Sequence, residues 1–230
     1  MVAEPQVRPA EVIYPESDGQ PMADNTLQFR WIVTIKENLE ILFADTPDVF
    51  VAGDLLWYPV EGESQRCQAP DVMVVLGRPK RDRGSYQQWK EDNVAPQVAF
   101  EILSPGNTPQ GMTRKLLFYQ QYGVEEYYLY DPRSNELVGS QRDRDRLVEI
   151  SEINGWVSPR LGIHFEVTED TLEIYTPAGE RFLTPVELSR QRDQERQRAD
   201  QEQQRADQEQ QRADRLAARL RELGVDPDTV

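Results

Sequence analysis

The sequence predicts an α/β (α+β) fold: a mixed β-sheet flanked by helices, with additional antiparallel strands and a polar heptad helix at the C-terminus. Two short runs, Asp71-Val72-Met73-Val74-Val75-Leu76 and Val98-Ala99-Phe100-Glu101-Ile102-Leu103, are almost continuously aliphatic, as strands covered on both faces must be. Segments with apolar residues at helical spacing lie before and after them. A strict seven-residue repeat then fills the tail: Gln201-Glu202-Gln203-Gln204-Arg205-Ala206-Asp207 recurs unchanged from Gln208 to Asp214.

Taken in order, residues 1–25 are rich in Pro, Glu and Asp and read as an extended arm. Leu27, Phe29, Ile32, Ile35, Leu39 and Leu42 give a helix from Thr26 to Phe43, capped by Asn25 or Asp24 accepting from its first free amides. Val49 to Tyr58 reads as a strand and Glu61 to Ala69 as a loop. After the strand at 71–76, the charged stretch Gly77–Pro96 reads as a surface excursion. Gln97 to Leu103 is the next strand, stopped by Ser104-Pro105-Gly106-Asn107. Met112 to Tyr122 makes a helix that Gly123 ends, because glycine adopts the left-handed closing conformation without strain. A strand rich in tyrosine follows at 127–130. Leu137–Gly139, Leu147–Ile150, Gly155–Val157, Ile163–Val167 and Leu172–Tyr175 suggest short antiparallel strands. The domain plan is an arm (1–25), a main domain (26–188), a heptad helix or coiled coil (189–223) and a tail (224–230). One seam of the heptads takes Ala199, Ala206, Ala213 and Leu220; the other takes Glu202, Glu209, Leu216 and Leu223. Only its last two turns have an apolar pair, so a solvated helix and self-association through its end both stand open. Gly224 and Pro227 close it.

Composition narrows the function. The chain has 230 residues and a formal net charge of −15. From Ser189 onward there are 9 arginines against 10 acids, which leaves 17 basic and 31 acidic residues before it. That balance disfavours simple electrostatic attraction to nucleic acid. No apolar run is long enough for a membrane span, and no signal peptide is visible, so a cytoplasmic location is expected. A single cysteine, Cys67, forbids an intrachain disulfide, and a single histidine, His164, argues against structural zinc. His164 is best read as a residue on a sheet face.

Two acids in apolar strands demand an explanation, because an unpaired buried carboxylate costs several kcal/mol. Asp71 and Glu101, followed by Lys115 in an amphipathic helix, suggest a divalent metal site. Magnesium takes hard oxygen ligands and keeps water, so two carboxylates and the main-chain carbonyl of Ile102 suffice, with Lys115 directed at the water or the phosphate. The structural alternative is equally concrete: Asp71 caps the turn before its strand and Glu101 forms a buried bridge with Lys115. Asp54 and Glu37 are weaker candidates for the metal shell, more simply a strand-end turn and a solvated helix face. The Arg78–Arg83 cluster with Tyr86 and Trp89 combines cations with aromatics, as strand-binding surfaces do, although a charged exposed loop is the simpler reading. Ser104-Pro105 ends a strand.

Ala69-Pro70-Asp71-Val72, Phe100-Glu101-Ile102-Leu103-Ser104-Pro105, Lys115 with Tyr119, Gly123-Val124-Glu125-Glu126-Tyr127-Tyr128 and Asp131-Pro132 together resemble a bacterial restriction endonuclease family of the Uma-two type. That family lies within the PD-(D/E)XK nuclease superfamily, and the similarity runs from about Tyr14 to Leu188. The resemblance implies a restriction-endonuclease-like core, with Asp71 as the motif's first acid and Glu101 as its second. The motif's lysine, due two residues after the second acid, is replaced by Leu103; the resemblance implies that Lys115 on the following helix supplies it. Where many relatives carry an acid a turn before that lysine, this chain has Gly111. The expected protein is thus a Mg2+-dependent (or Mn2+-dependent) DNA endonuclease, homodimeric, with no membrane association. Its rivals are an inactive nuclease-fold binding module and a scaffold that acts through the heptad tail.

Overall fold

The computed structural model describes residues 12–17, 19 and 23–222. The expected arm therefore falls partly outside the described residues, and Leu223 and the 224–230 tail lie wholly outside them. The chain divides into two compact units, Met1–Thr184 and Pro185–Val230.

The first unit is built on helix α1 (Thr26–Leu42), strands β1 (Val49–Gly53), β2 (Trp57–Tyr58), β3 (Val72–Leu76), β4 (Tyr86–Gln87) and β5 (Val98–Ile102), helix α2 (Pro109–Tyr122), and strands β6 (Glu126–Asp131), β7 (Glu136–Asp143), β8 (Arg146–Glu149), β9 (His164–Val167) and β10 (Leu172–Tyr175). Six strands form one mixed sheet in the order β1-β3-β5-β6-β7-β8. Within this sheet the β5–β6 pair alone is parallel, and α2 is the crossover between them, since parallel neighbours need a long connection. β9 and β10 form an antiparallel hairpin, and β2 and β4 a short parallel pair.

Strand alternation sorts the core into two layers. Val72, Val74, Val98, Phe100 and Ile102 face α1 through Ile32, Ile35 and Leu39, together with Phe165 and Ile174 of the hairpin. Met73, Val75 and Ala99 face the other way, toward Trp57, Tyr86, Tyr119 and Tyr127. By the same period of two, Asp71 and Glu101 share the face that α2 covers. The antiparallel register pairs Val72 with Phe100, so Asp71 and Glu101 stand one step further along the same ladder.

Asn25 is the cap of α1: its side chain accepts from Leu27 N and Gln28 N, each at 2.9 Å. Thr108 caps α2 by accepting from Gly111 N, and Gly123 closes it with a φ of 100°. Three expectations need correction. The single strand at 49–58 is interrupted, because Asp54 turns into the left-handed region (φ 48°) and β2 joins a different sheet. The stretch 77–96 is not wholly a surface excursion: it contains β4 and a 3-10 turn, and Tyr86 and Glu91 are buried. Gly155–Val157 forms a turn and an isolated bridge from Val157 to His164. His164 itself lies on β9 beside Glu166 and the Tyr175 ring.

Among the described residues, the second unit is a single helix, α3 (Pro185–Glu222). Its side chains are solvent-exposed from Ser189 to Leu216, the heptad positions Ala199, Glu202, Ala206, Glu209 and Ala213 included. Gln203 donates to Asp207 and Gln210 to Asp214, at 2.8 and 2.9 Å, the spacing at which side chains meet on a helix surface.

Candidate active site

The end of the β3–β5 ladder brings three of the expected residues together. Asp71 Oδ2 accepts a hydrogen bond from Ile102 N at 2.6 Å, which ties the loop entering β3 to the end of β5. Lys115 Nζ donates to Glu101 Oε2 at 2.7 Å and lies 3.5 Å from the carbonyl of Ala69. Lys115 arrives one turn before Tyr119 on α2, so both residues point down onto the sheet. The Tyr119 hydroxyl donates to the other Glu101 oxygen, Oε1. Glu101 is 2% exposed and Asp71 7%, so these bonds are what make the two carboxylates tolerable inside.

Electrostatics separate the two acids. Burial pushes Asp71 up to about 7, reinforced by the neighbouring Glu101, against the opposing pull of Lys115 and the Ile102 amide. Burial also raises Glu101, while the Lys115 ammonium and the Tyr119 hydroxyl favour its ionised form. Burial pulls Lys115 down, but the Glu101 and Asp71 carboxylates outweigh it and hold the ammonium above its ordinary value. Asp54 adds to the negative field at all three groups. Its amide lies 3.3 Å from the carbonyl of Asp71.

Two features of the site have no counterpart in the sequence reading. The carbonyl of Ile102 accepts from Gln28 Nε2 at 3.0 Å, a bond between residues 74 positions apart. A carbonyl has two lone pairs, so one remains for a ligand. Among the described residues, the buried Tyr127 hydroxyl has no hydrogen-bond partner; its ring lies 5.5 Å from that of Tyr119, and it lies in the field of Glu101 and Asp71. A glutamine on a helix and a tyrosine in an aromatic strand carry no linear signal of such roles. Tyr119 did have one, in its spacing from Lys115.

The other candidates lie elsewhere. Glu37 pairs with Lys36 at 3.0 Å on a part-exposed face of α1. The Ser104 hydroxyl donates to Asp24 and its backbone amide to the Asn107 side chain at 2.7 Å, shaping the turn after β5. Tyr86 is fully buried, which removes it from any surface of stacked aromatics, and Trp89 packs on Tyr14 with ring centres 4.9 Å apart.

Among the described residues, no three His, Cys, Asp or Glu side chains form a ready-made metal shell. The donor set nevertheless suits a hard divalent cation, which needs only one or two carboxylates and fills its other positions with water and substrate oxygens. Asp71, Glu101 and Asp54 outnumber the one nearby ammonium.

The architecture is a mixed sheet flanked by helices, with two acids and a lysine brought together at one end of the β3–β5 ladder. A family model described as "Putative restriction endonuclease" (Uma2) matches residues 16–204. The chain belongs to this family. Among solved structures, it is similar to a "putative nuclease belonging to DUF820" from Anabaena variabilis, at 15% identity and a TM-score of 0.42, over 63% of this chain and 79% of the other. A search of curated proteins gives no match. Among the described residues, no helix is long and apolar enough to cross a membrane.

Proposed function

We propose that the chain is a divalent-metal-dependent endonuclease that hydrolyses phosphodiester bonds of DNA, with Mg2+ as the natural ion and Mn2+ as a substitute. The observation that carries this reading is the convergence of Asp71, Glu101 and Lys115, from two strands and a helix, at one end of the β3–β5 ladder. The DNA substrate follows from the family description, not from charge.

Asp71 and Glu101, with the free lone pair of the Ile102 carbonyl, would hold the cation. When bound, it supplies positive charge to a phosphate oxygen and acidifies a water. The residues around it do the positioning. Ile102 N fixes one Asp71 oxygen, and Tyr119 fixes one Glu101 oxygen, so neither carboxylate has to reorganise as charge develops. Hydrolysis forms a bond from water oxygen to phosphorus and breaks the bond from phosphorus to the leaving sugar oxygen. The Lys115 ammonium, held by Glu101 on a flexible stem, can orient the water and offset the added negative charge.

Calorimetric titration of Mg2+ and Mn2+ into wild type, Asp71→Ala and Glu101→Ala, with and without a short duplex, tests the site. Binding abolished in both folded variants supports it. Absence of binding to wild type with the duplex present removes the nuclease reading. One observation favours a second reading, an inactive binding module: both Glu101 oxygens are already engaged, by Lys115 and Tyr119, as in a structural bridge. That module would melt at the same temperature with and without metal and cleave nothing.

A further inference from the structure

β1 ends the large sheet, with β3 its one strand neighbour among the described residues. A cleft of about 490 Å³ lies along it, floored by Phe50–Gly53 and walled by Lys36 of α1 and the segment Lys80–Arg83. One end of it, at Gly53, adjoins the main chain of Asp71 and Val72. A side chain added at Gly53 would touch the Asp71 carbonyl at 3.5 Å and the Lys36 stem at 3.7 Å, and the next residue is Asp54, whose charge is felt at Asp71, Glu101 and Lys115.

The cations of this cleft have different duties. Arg83 is locked: its side chain is 4% exposed, it grips Glu91 at 2.9 and 3.2 Å, and its guanidinium lies 4.0 Å from the Phe50 ring centre. Lys80 Nζ donates to the carbonyls of Phe43 and Ala44, fastening the segment to the end of α1. Arg81 also donates to Glu91, at 2.5 Å, as the second guanidinium on one carboxylate, and its side chain stays 56% exposed. It is the surplus cation. Lys36 lies between Glu37 at 3.0 Å and Glu40 at 3.9 Å, part-exposed pairs that solvent screens and that yield to a stronger anion. Four basic and two acidic side chains line a cleft in a protein of net charge −15.

We propose that this cleft is the track along which the sugar–phosphate backbone of a nucleic-acid strand runs into the acid site, with Arg81 and Lys36 holding its phosphates. The identity of the occupant rests on the nuclease reading; the cleft and its charges do not. An extended peptide could pair with the edge of β1, but it would not call for a surplus arginine beside the path to a phosphate-cleaving centre. The recognition is of the backbone, so binding is insensitive to base sequence and sensitive to salt.

The test is fluorescence anisotropy of labelled single-stranded and duplex oligonucleotides, in EDTA and again in Ca2+, over a series of salt concentrations. The chains compared are wild type, Arg81→Gln, Arg81→Glu/Lys36→Glu, and Arg133→Glu as a control on the β6–β7 turn, with melting curves to establish folding. The expected result is tenfold or greater weakening in the double variant, with the salt slope reduced by about one for each phosphate no longer neutralised. Arg81→Gln should show a smaller loss and Arg133→Glu none. Equal binding by wild type and the double variant overturns the proposal, as does no binding by wild type in either medium. Cleavage in Mg2+ or Mn2+ is scored separately. Binding through the cleft without cleavage sinks the catalytic reading alone; cleavage with unchanged KM in the double variant sinks the cleft alone.

Discussion

Lys115 of α2 donates to a carboxylate oxygen of Glu101 on β5 at 2.7 Å, and the Glu101 side chain is only 3% exposed. A buried ion pair is costly to break from one side, because the remaining charge is stranded. Lys115→Ala should therefore destabilise the fold by about 3 kcal/mol. The double variant Lys115→Met/Glu101→Gln, which strands no charge, should recover at least half of that. Urea unfolding of the three chains measures it, and a double variant no more stable than Lys115→Ala would remove the stranded-charge account.

Asp71 gives a pH signature. Its carboxyl sits at about 7 in the folded protein, against about 4 in an unfolded chain. Between those values the folded state holds more protons than the unfolded one, so the contribution of this group to stability falls as pH rises from about 4 to 7 and is flat above. Asp71→Asn cannot titrate, yet its amide oxygen can still accept from Ile102 N. It should be more stable than wild type at pH 8, by up to ~4 kcal/mol, with the gap closing toward pH 4. Parallel melting curves at pH 5 and pH 8 check the sign.

Tyr119→Phe removes one donor from Glu101 while keeping the ring that stacks on Trp57 and packs at a tilt against Tyr127. The loss should be about 2 kcal/mol, the scale of a hydrogen bond to a charged group, measured by chemical denaturation. A variant as stable as wild type would mean that water replaces the hydroxyl.

Gln28→Leu withdraws the amide from the Ile102 carbonyl, leaving that acceptor without its protein donor at a cost of about 1–2 kcal/mol. If the carbonyl's free lone pair serves a cation, added Mg2+ or Mn2+ should restore part of the missing stability, and thermal melts with and without metal read this directly.

A chain ending at Thr184 should keep the melting temperature of the full protein within about 2 °C, since Pro185–Val230 is a compact unit of its own and exposed from Ser189 to Leu216. Sedimentation of both chains also reads whether the homodimer expected from sequence forms, and whether α3 holds it.

The buried strands were legible because a sheet covered on both faces leaves no room for polar residues; the acids then stood out as exceptions. Asp71 and Glu101 could be found that way, and Lys115 through its helix and the family motif. Gln28 could not, because its role depends on α1 meeting the end of β5, a meeting of residues 74 positions apart. The break at Asp54 was hidden by the apolar residues on either side of it, whose strand propensity says nothing of a left-handed turn. Tyr86 was misplaced because the charges around it suggested solvent, whereas Arg81 and Arg83 gather on Glu91, and Arg83 also stacks on Phe50 beside it.

Glu101 belongs to β5 and Lys115 to α2, with the connection 103–108 between them. In a strand, a residue two places on is fixed to the same face; on a helix, each residue inserted upstream swings the side chain by about 100°. One residue added or deleted within α2 ahead of Lys115 would turn it away from Glu101 while leaving the hydrogen bonds of the sheet in place. Helix phase here acts as a dial on the pairing, and a descendant could lose it, or regain it, without altering any of the residues that form it.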